Sequence, residues 1–101
     1  MPVEYGGFEG FVDLCIETPD GLIVADYKTD AIVDNDDLDR KVEGYEMQAG
    51  AYAVALEHIT AKPVIDCRFL FVGPDKVFER SVPDLDGVKQ RVRTRLGLAA
   101  P

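Results

Sequence analysis

The chain has 101 residues, enough for one small domain with an adequate core. Its 47% hydrophobic and 30% charged residues are ordinary for a globular chain, and no apolar run of about 18 residues is present to span a membrane. A net charge of −8 suits nucleic acid poorly, because phosphate binding wants Lys and Arg.

The charge is unevenly placed. Five of the eleven basic residues are Arg80 or fall within residues 89–95, whereas residues 30–39 form a dense acidic block. The first seven residues show no periodicity and are expected to fray. The opening MPVEYGGFEG has neither the basic start nor the apolar stretch of a signal peptide.

Two strands are predicted over residues 8–17 and 22–28, joined by Thr18-Pro19-Asp20-Gly21. Pro presets the turn and Gly lets the chain swing back. If Pro19-Asp20 is a two-residue loop, opposed residues have numbers summing to 39, and Asp13 stands opposite Asp26. Two like charges there destabilise a hairpin, unless a divalent cation between them reverses the sign. A three-residue loop with a bulge at Gly21 would instead put the two Asp on opposite faces. The first register is preferred because it alternates sensibly. Val12, Leu14 and Ile16 share a face with Ile23, Ala25 and Tyr27; Phe11, Asp13 and Cys15 share the other with Leu22, Val24, Asp26 and Lys28.

Residues 29–37 are polar and acidic, and read as a mobile, solvated loop. The Asp34, Asp36 spacing resembles a calcium loop, but the required Gly and closing Glu are missing. A helix is predicted over residues 38–58, with Val42, Tyr45, Ala49, Tyr52, Ala53, Leu56 and Ile59 on one stripe and Gln48 beside it. Gly44 and Gly50 each weaken a helix by about 1 kcal/mol relative to Ala. Gly50, with Ala49 and Ala53, reads as allowing close packing on the sheet. His58, the only histidine, falls in the last turn, where the helix dipole favours a cation, and a structural role is preferred to a catalytic one.

After Pro63 a strand is predicted at 64–72, a turn at Gly73-Pro74-Asp75 and a strand at 76–82. Pro83 and Asp84 open a second helix with Leu85, Val88, Val92 and Leu96 on its apolar face and Gly97 past its end. Arg91, Arg93 and Arg95 on that helix read as a solvated face rather than a phosphate track. The element order predicts an α/β (α+β) fold, one mixed sheet of about four strands flanked by two helices. Cys15 and Cys67 lie far apart inside strands, with no CxxC, so buried thiols in a reducing, cytoplasmic compartment are expected.

GFVDL, VADYKT and YEMQAGAYAVAL, followed by an apolar strand, resemble the RecB-like nuclease module of the PD-(D/E)XK superfamily, as in RecB and AddA type helicase–nucleases. The resemblance covers about two thirds of the chain, residues 8–72. DYK alone is a weak signal; G-x-x-D, DYKT and Q-x-x-x-Y in order are far more specific. The resemblance implies a restriction-endonuclease-like fold, with Asp13, Asp26 and the Tyr27 backbone carbonyl binding Mg²⁺ or Mn²⁺. Lys28 would position the attacking water, Gln48 and Tyr52 would orient Lys28 or the DNA strand, and Thr29 would contact a phosphate. Hard divalent ions prefer such oxygen donors, and the ion's chemistry suits phosphodiester hydrolysis.

Each residue also has a plainer reading: Asp26 and Lys28 as a strand-end ion pair, Tyr52 as a core aromatic. The family expects a further helix, bearing an acidic residue or histidine, ahead of GFVD; the chain starts after that point, and neither Glu4 nor Glu9 falls on a plausible helix. Val12 replaces the Pro of the family name, as is common in RecB-like members. GxxxxGK[ST] and the four-cysteine cluster of iron–sulfur relatives are absent. The expectation is a piece of a larger helicase–nuclease of double-strand-break repair, exonucleolytic, with helicase domain, other subunits and DNA as partners. Its missing helix could leave it inactive, or expose a sheet face on which the fragment would form a homodimer. The alternative is a degenerate, non-catalytic module for partner or DNA binding; a third possibility is a small stand-alone exonuclease.

Overall fold

The structure, a computed structural model, describes the backbone of residues 2–5 and 8–11 and all of residues 13–97. Two short strands, β1 (Pro2–Tyr5) and β2 (Phe8–Phe11), pair antiparallel in a ribbon of their own. The expected fraying is therefore corrected over Pro2–Tyr5, whose backbone groups find ladder partners in Phe8–Phe11. Met1, Gly6, Gly7 and Val12 lie outside the described residues.

The first long strand is broken, and pairing resumes in β3 (Leu14–Thr18), opposite β4 (Gly21–Lys28). Leu14 faces Ala25, Ile16 faces Ile23 and Thr18 faces Gly21, which is the register of a two-residue loop. The Thr18 hydroxyl donates to the Gly21 carbonyl at 2.8 Å and accepts from the Gly21 amide at 3.2 Å, closing the turn. Gly21 has φ +148°, and a Cβ there would lie 2.5 Å from the Pro63 carbonyl. Only glycine combines that backbone with so close an approach.

From β4 the chain crosses over through α1 (Asn35–Thr60) to β5 (Val64–Val72), which lies parallel to β4. A parallel pair requires such a crossover. β6 (Val77–Ser81) then pairs antiparallel with β5, giving the sheet order β3-β4-β5-β6, and α2 (Leu85–Leu96) follows. The mixed four-stranded sheet and two helices agree with the expected α+β class. Both helices share one core with the inner face, where Leu22, Val24, Cys67, Phe69 and Phe71 meet Ala53, Leu56 and Val88. The outer face keeps Ile16, Tyr27, Ile65 and Val77 exposed. Among the described residues no helix is long and apolar enough to cross a membrane.

α1 starts three residues before its expected beginning because Asp34 and Asp37 cap it. Asp34 Oδ1 accepts from the Asp37 amide at 2.8 Å, and Asp37 Oδ2 accepts from the Val33 amide at 3.0 Å. These side chains satisfy donors that a helix start leaves open. The loop expected to be mobile is thus tied down, with Asp37 buried. Ile59, expected on the buried stripe, is exposed. Both cysteines are free, and burial pushes the Cys67 thiol up to about 12.

Gly50 does permit a close approach, but to α2 and not to the sheet. A Cβ on Gly50 would lie 2.7 Å from Val88 Cγ1 and 2.8 Å from Val92 Cγ2. The α1–α2 contact is secured further along by a buried charge cluster. Lys89 Nζ donates to Glu57 Oε2 at 2.9 Å and to the Val64 carbonyl at 2.7 Å, while Arg93 Nη2 donates to Glu57 Oε1 at 3.0 Å. Arg93, expected on a solvated face, is therefore turned inward, where Glu57 Oε1 accepts from its guanidinium.

The two glycines of α1 should respond oppositely to alanine. No atom lies within 4 Å of a Gly44 Cβ, so Gly44→Ala should gain up to about 1 kcal/mol of helix propensity. Gly50→Ala should lose stability, because overpacking costs about 1–3 kcal/mol and outweighs that gain. Urea denaturation measures both; equal stabilisation by the two substitutions would contradict the close crossing.

Candidate functional site

On β4 the inner face passes from apolar to charged. Leu22 and Val24 are buried, Asp26 takes the next inward position at 7% exposure, and Lys28 ends the strand. Alternation turns Tyr27 outward, 52% exposed. Phe69 stands beside Asp26 and Phe71 beside Lys28 on the parallel neighbour β5. The carboxylate therefore lies at the edge of an aromatic core, where desolvation is costly unless a charge compensates.

Asp13 stands just before β3, in line with the same register. The Tyr27 amide donates to Asp13 Oδ2 at 2.9 Å, so a side chain caps β4 where the described ladder of β3 ends. The Asp13 and Asp26 carboxyl groups lie close enough to act on each other's ionisation. The facing Asp26 carboxyl group and then the Tyr27 amide hold Asp13 below the usual carboxylate range. Burial pushes Asp26 up, and the facing Asp13 adds to the effect. Two carboxylates in one site cannot easily ionise together.

Lys28 supplies the compensating charge. Its Nζ lies 3.0 Å from Asp26 Oδ2 as an ion pair, yet that buried oxygen has no well-aligned hydrogen bond. The ammonium donates instead to Gln48 Oε1 at 2.8 Å, and it sits 4.0 Å above the centre of the Tyr45 ring. Tyr45 packs on Phe69 with ring centroids 5.6 Å apart, and its hydroxyl donates to Asp30 Oδ1 at 2.9 Å. The Asp30 carboxylate raises the Tyr45 pKa by accepting that bond.

Asp13, Asp26, Lys28 and Gln48 thus converge. Tyr52 lies one turn beyond Gln48 in the core, 6% exposed, and Thr29 is exposed at the mouth of a separate hollow of about 350 Å³. Tyr45 and Asp30 were not singled out as site residues in the sequence. Tyr45 could have been found from its place one turn before Gln48 on α1; Asp30 carried no signal within the acidic block.

A hard divalent cation fits this donor set. Two carboxyl groups face each other, and the buried Asp26 Oδ2 lacks an aligned donor. A residue on an extended strand projects its amide and carbonyl to one side, so the Tyr27 carbonyl is turned toward Asp13 as well. Oxygen donors of this kind suit Mg²⁺ or Mn²⁺. Among the described residues no third His, Cys, Asp or Glu side chain joins the pair to make a group of three.

The aromatic seat of Lys28 is testable by NMR. The ring should shift the Lys28 ε-methylene protons upfield, and Tyr45→Leu should abolish that shift while Tyr45→Phe keeps it. Tyr45→Phe should cost about 1 kcal/mol for the lost Asp30 hydrogen bond. A Lys28 signal indifferent to Tyr45→Leu would contradict the geometry.

The profile of the PD-(D/E)XK nuclease superfamily matches residues 1–100. Curated relatives include an ATP-dependent helicase/nuclease subunit of Alkaliphilus oremlandii, 45% identical over 56 residues, covering 55% of this chain and 5% of the relative. The protein of the same name from Thermoanaerobacter sp. strain X514 is 38% identical over 68 residues, covering 63% of this chain and 5% of the relative. That of Clostridium botulinum strain Hall is 38% identical over 64 residues, covering 63% of this chain. The chain spans about 5% of the length of these relatives. No solved structure gives a significant match. The chain belongs to the PD-(D/E)XK nuclease superfamily, as a domain similar to part of these helicase/nuclease proteins.

Proposed function

We propose that the chain is a divalent-metal-dependent deoxyribonuclease domain that hydrolyses phosphodiester bonds exonucleolytically, within a cytoplasmic helicase–nuclease of double-strand-break repair. The observation that carries this reading is the convergence of two carboxyl groups with an ammonium, Lys28 Nζ lying 3.0 Å from Asp26 Oδ2. A plain strand-end ion pair would not need Asp13 on the same side, nor Gln48 and Tyr45 fixing the lysine.

In this reading Asp13, Asp26 and the Tyr27 carbonyl hold Mg²⁺ or Mn²⁺. The bound ion supplies Lewis-acid chemistry, neutralising phosphate charge and making water more acidic. Lys28 orients the attacking water and places positive charge where the phosphate oxygens gain negative charge. Gln48 fixes the ammonium through its 2.8 Å hydrogen bond, and Tyr52 anchors that turn of α1 in the core. Thr29, next in the chain after Lys28, contacts a phosphate. DNA is the substrate, and the helicase part of a longer chain with further subunits are the partners. The exposed outer sheet face would take a second copy in a homodimer, which light scattering showing only monomer would exclude. The competing reading, a non-catalytic module for partner or DNA binding, draws on the pairing of only two carboxylates among the described residues.

Metal titration and cleavage of linear DNA test the proposal together. Mn²⁺ should bind saturably at millimolar concentration or below, and Asp26→Ala should abolish binding. Lys28→Ala should keep the metal but lower cleavage by about 10²–10³-fold, the usual loss for one transition-state donor. Protons compete with the ion for Asp26, whose pKa is raised by burial. Metal affinity should therefore be constant above that pKa and fall as pH drops through it, by up to about tenfold per pH unit. No saturable binding at millimolar metal would favour the inert module.

A further inference from the structure

The groove between α1 and α2 borders the candidate site but has no part in the chemistry described above. Met47, Val92 and Leu96 give it an apolar floor, and Gln48 and Arg95 form its edges around about 250 Å³. A second, open hollow of about 490 Å³ continues it past Met47 and Arg95 to Arg91. Gln48 belongs to both places. It lines the groove while its Oε1 accepts from Lys28 at 2.8 Å.

The cations here stand out against a chain of net charge −8. Lys89 and Arg93 of the same helix are consumed by Glu57. Arg95 is exposed and makes no ion pair among the described residues, and Arg91, half-exposed, has only Glu46 at 3.6 Å. Arg91 and Arg95 are four residues apart and so share a face of α2, about 6 Å apart along its axis.

We propose that this groove is a track for a single DNA strand, with Arg91 and Arg95 taking backbone phosphates and the Met47 side of the floor meeting the bases. A cationic edge suits the backbone of a single strand, and the apolar floor carries, in place of aromatic stacking platforms, the adaptable thioether of Met47, which can follow different bases. The track ends at Gln48, and so delivers the strand to Lys28. The proposal rests on the nuclease reading for its direction, but the binding it describes exists without cleavage.

The test is a titration of the metal-free chain in EDTA with a labelled oligothymidylate of about eight nucleotides. Met47 is one of only two methionines, so its methyl resonance is readily assigned. The resonance should move as the strand binds. Arg91→Ala with Arg95→Ala should weaken binding about tenfold, and should lower the slope of log affinity against log salt by about 1.4, the contribution of two phosphate contacts on a single strand. The melting temperature should not change. Absence of oligonucleotide binding, an unmoved Met47 methyl, unchanged affinity in the double variant, or equal binding of hexaglutamate would each overturn the track. Cleavage in Mn²⁺ separates the two claims. A chain that binds through the groove without cutting defeats the nuclease reading alone; one that cuts equally well without the two arginines defeats the track alone.

Discussion

The parity of one hairpin governs the site. Because β3 and β4 meet with a two-residue loop, the inner face of the sheet receives Asp13, Asp26 and Lys28 together. A slip of one residue would turn one carboxylate to the outer face. The Thr18 hydroxyl and Gly21 hold that parity, and the Pro63 carbonyl, which accepts from the Leu22 amide at 2.7 Å, anchors the start of β4 to the chain entering β5. Local turn chemistry therefore decides where the charges go.

The remaining architecture makes those charges tolerable. A carboxyl group at the edge of a Phe69 and Phe71 wall must either be neutralised or compensated. Both occur here: Asp26 keeps its proton to higher pH, and Lys28 lies alongside. The ammonium is held in turn by a hydrogen bond and an aromatic face, both on α1, and the Asp30 carboxylate fixes the orientation of that face. α1 is itself pinned by α2, through the glycine contact at Gly50 and the Glu57–Lys89–Arg93 cluster. Groups remote from the carboxylates thus set the position of Lys28.

Much of this was legible from local patterns. Turn residues set the hairpin register, alternation assigned the faces, and the period of α1 placed Gln48 beside its buried stripe. What escaped depended on partners distant in sequence. β1 has no periodicity to reveal it, because its order comes from cross-strand pairing with β2, which the sequence places inside the longer strand of residues 8–17. Arg93 looks like an exposed helix charge until Glu57, 36 residues earlier, is seen beside it. The acidic block hid two different roles: Asp34 and Asp37 cap a helix, whereas Asp30 orients Tyr45. Composition shows many carboxylates but not which backbone amide or hydroxyl each one meets.

The central claim is that Asp13 and Asp26 form one seat for a cation beside Lys28. Anomalous diffraction from crystals soaked in Mn²⁺ tests it most directly. The account predicts a manganese peak between the two carboxyl groups, with the Tyr27 carbonyl among its oxygen neighbours. A well-ordered site without such a peak, or manganese bound only elsewhere on the chain, would contradict it.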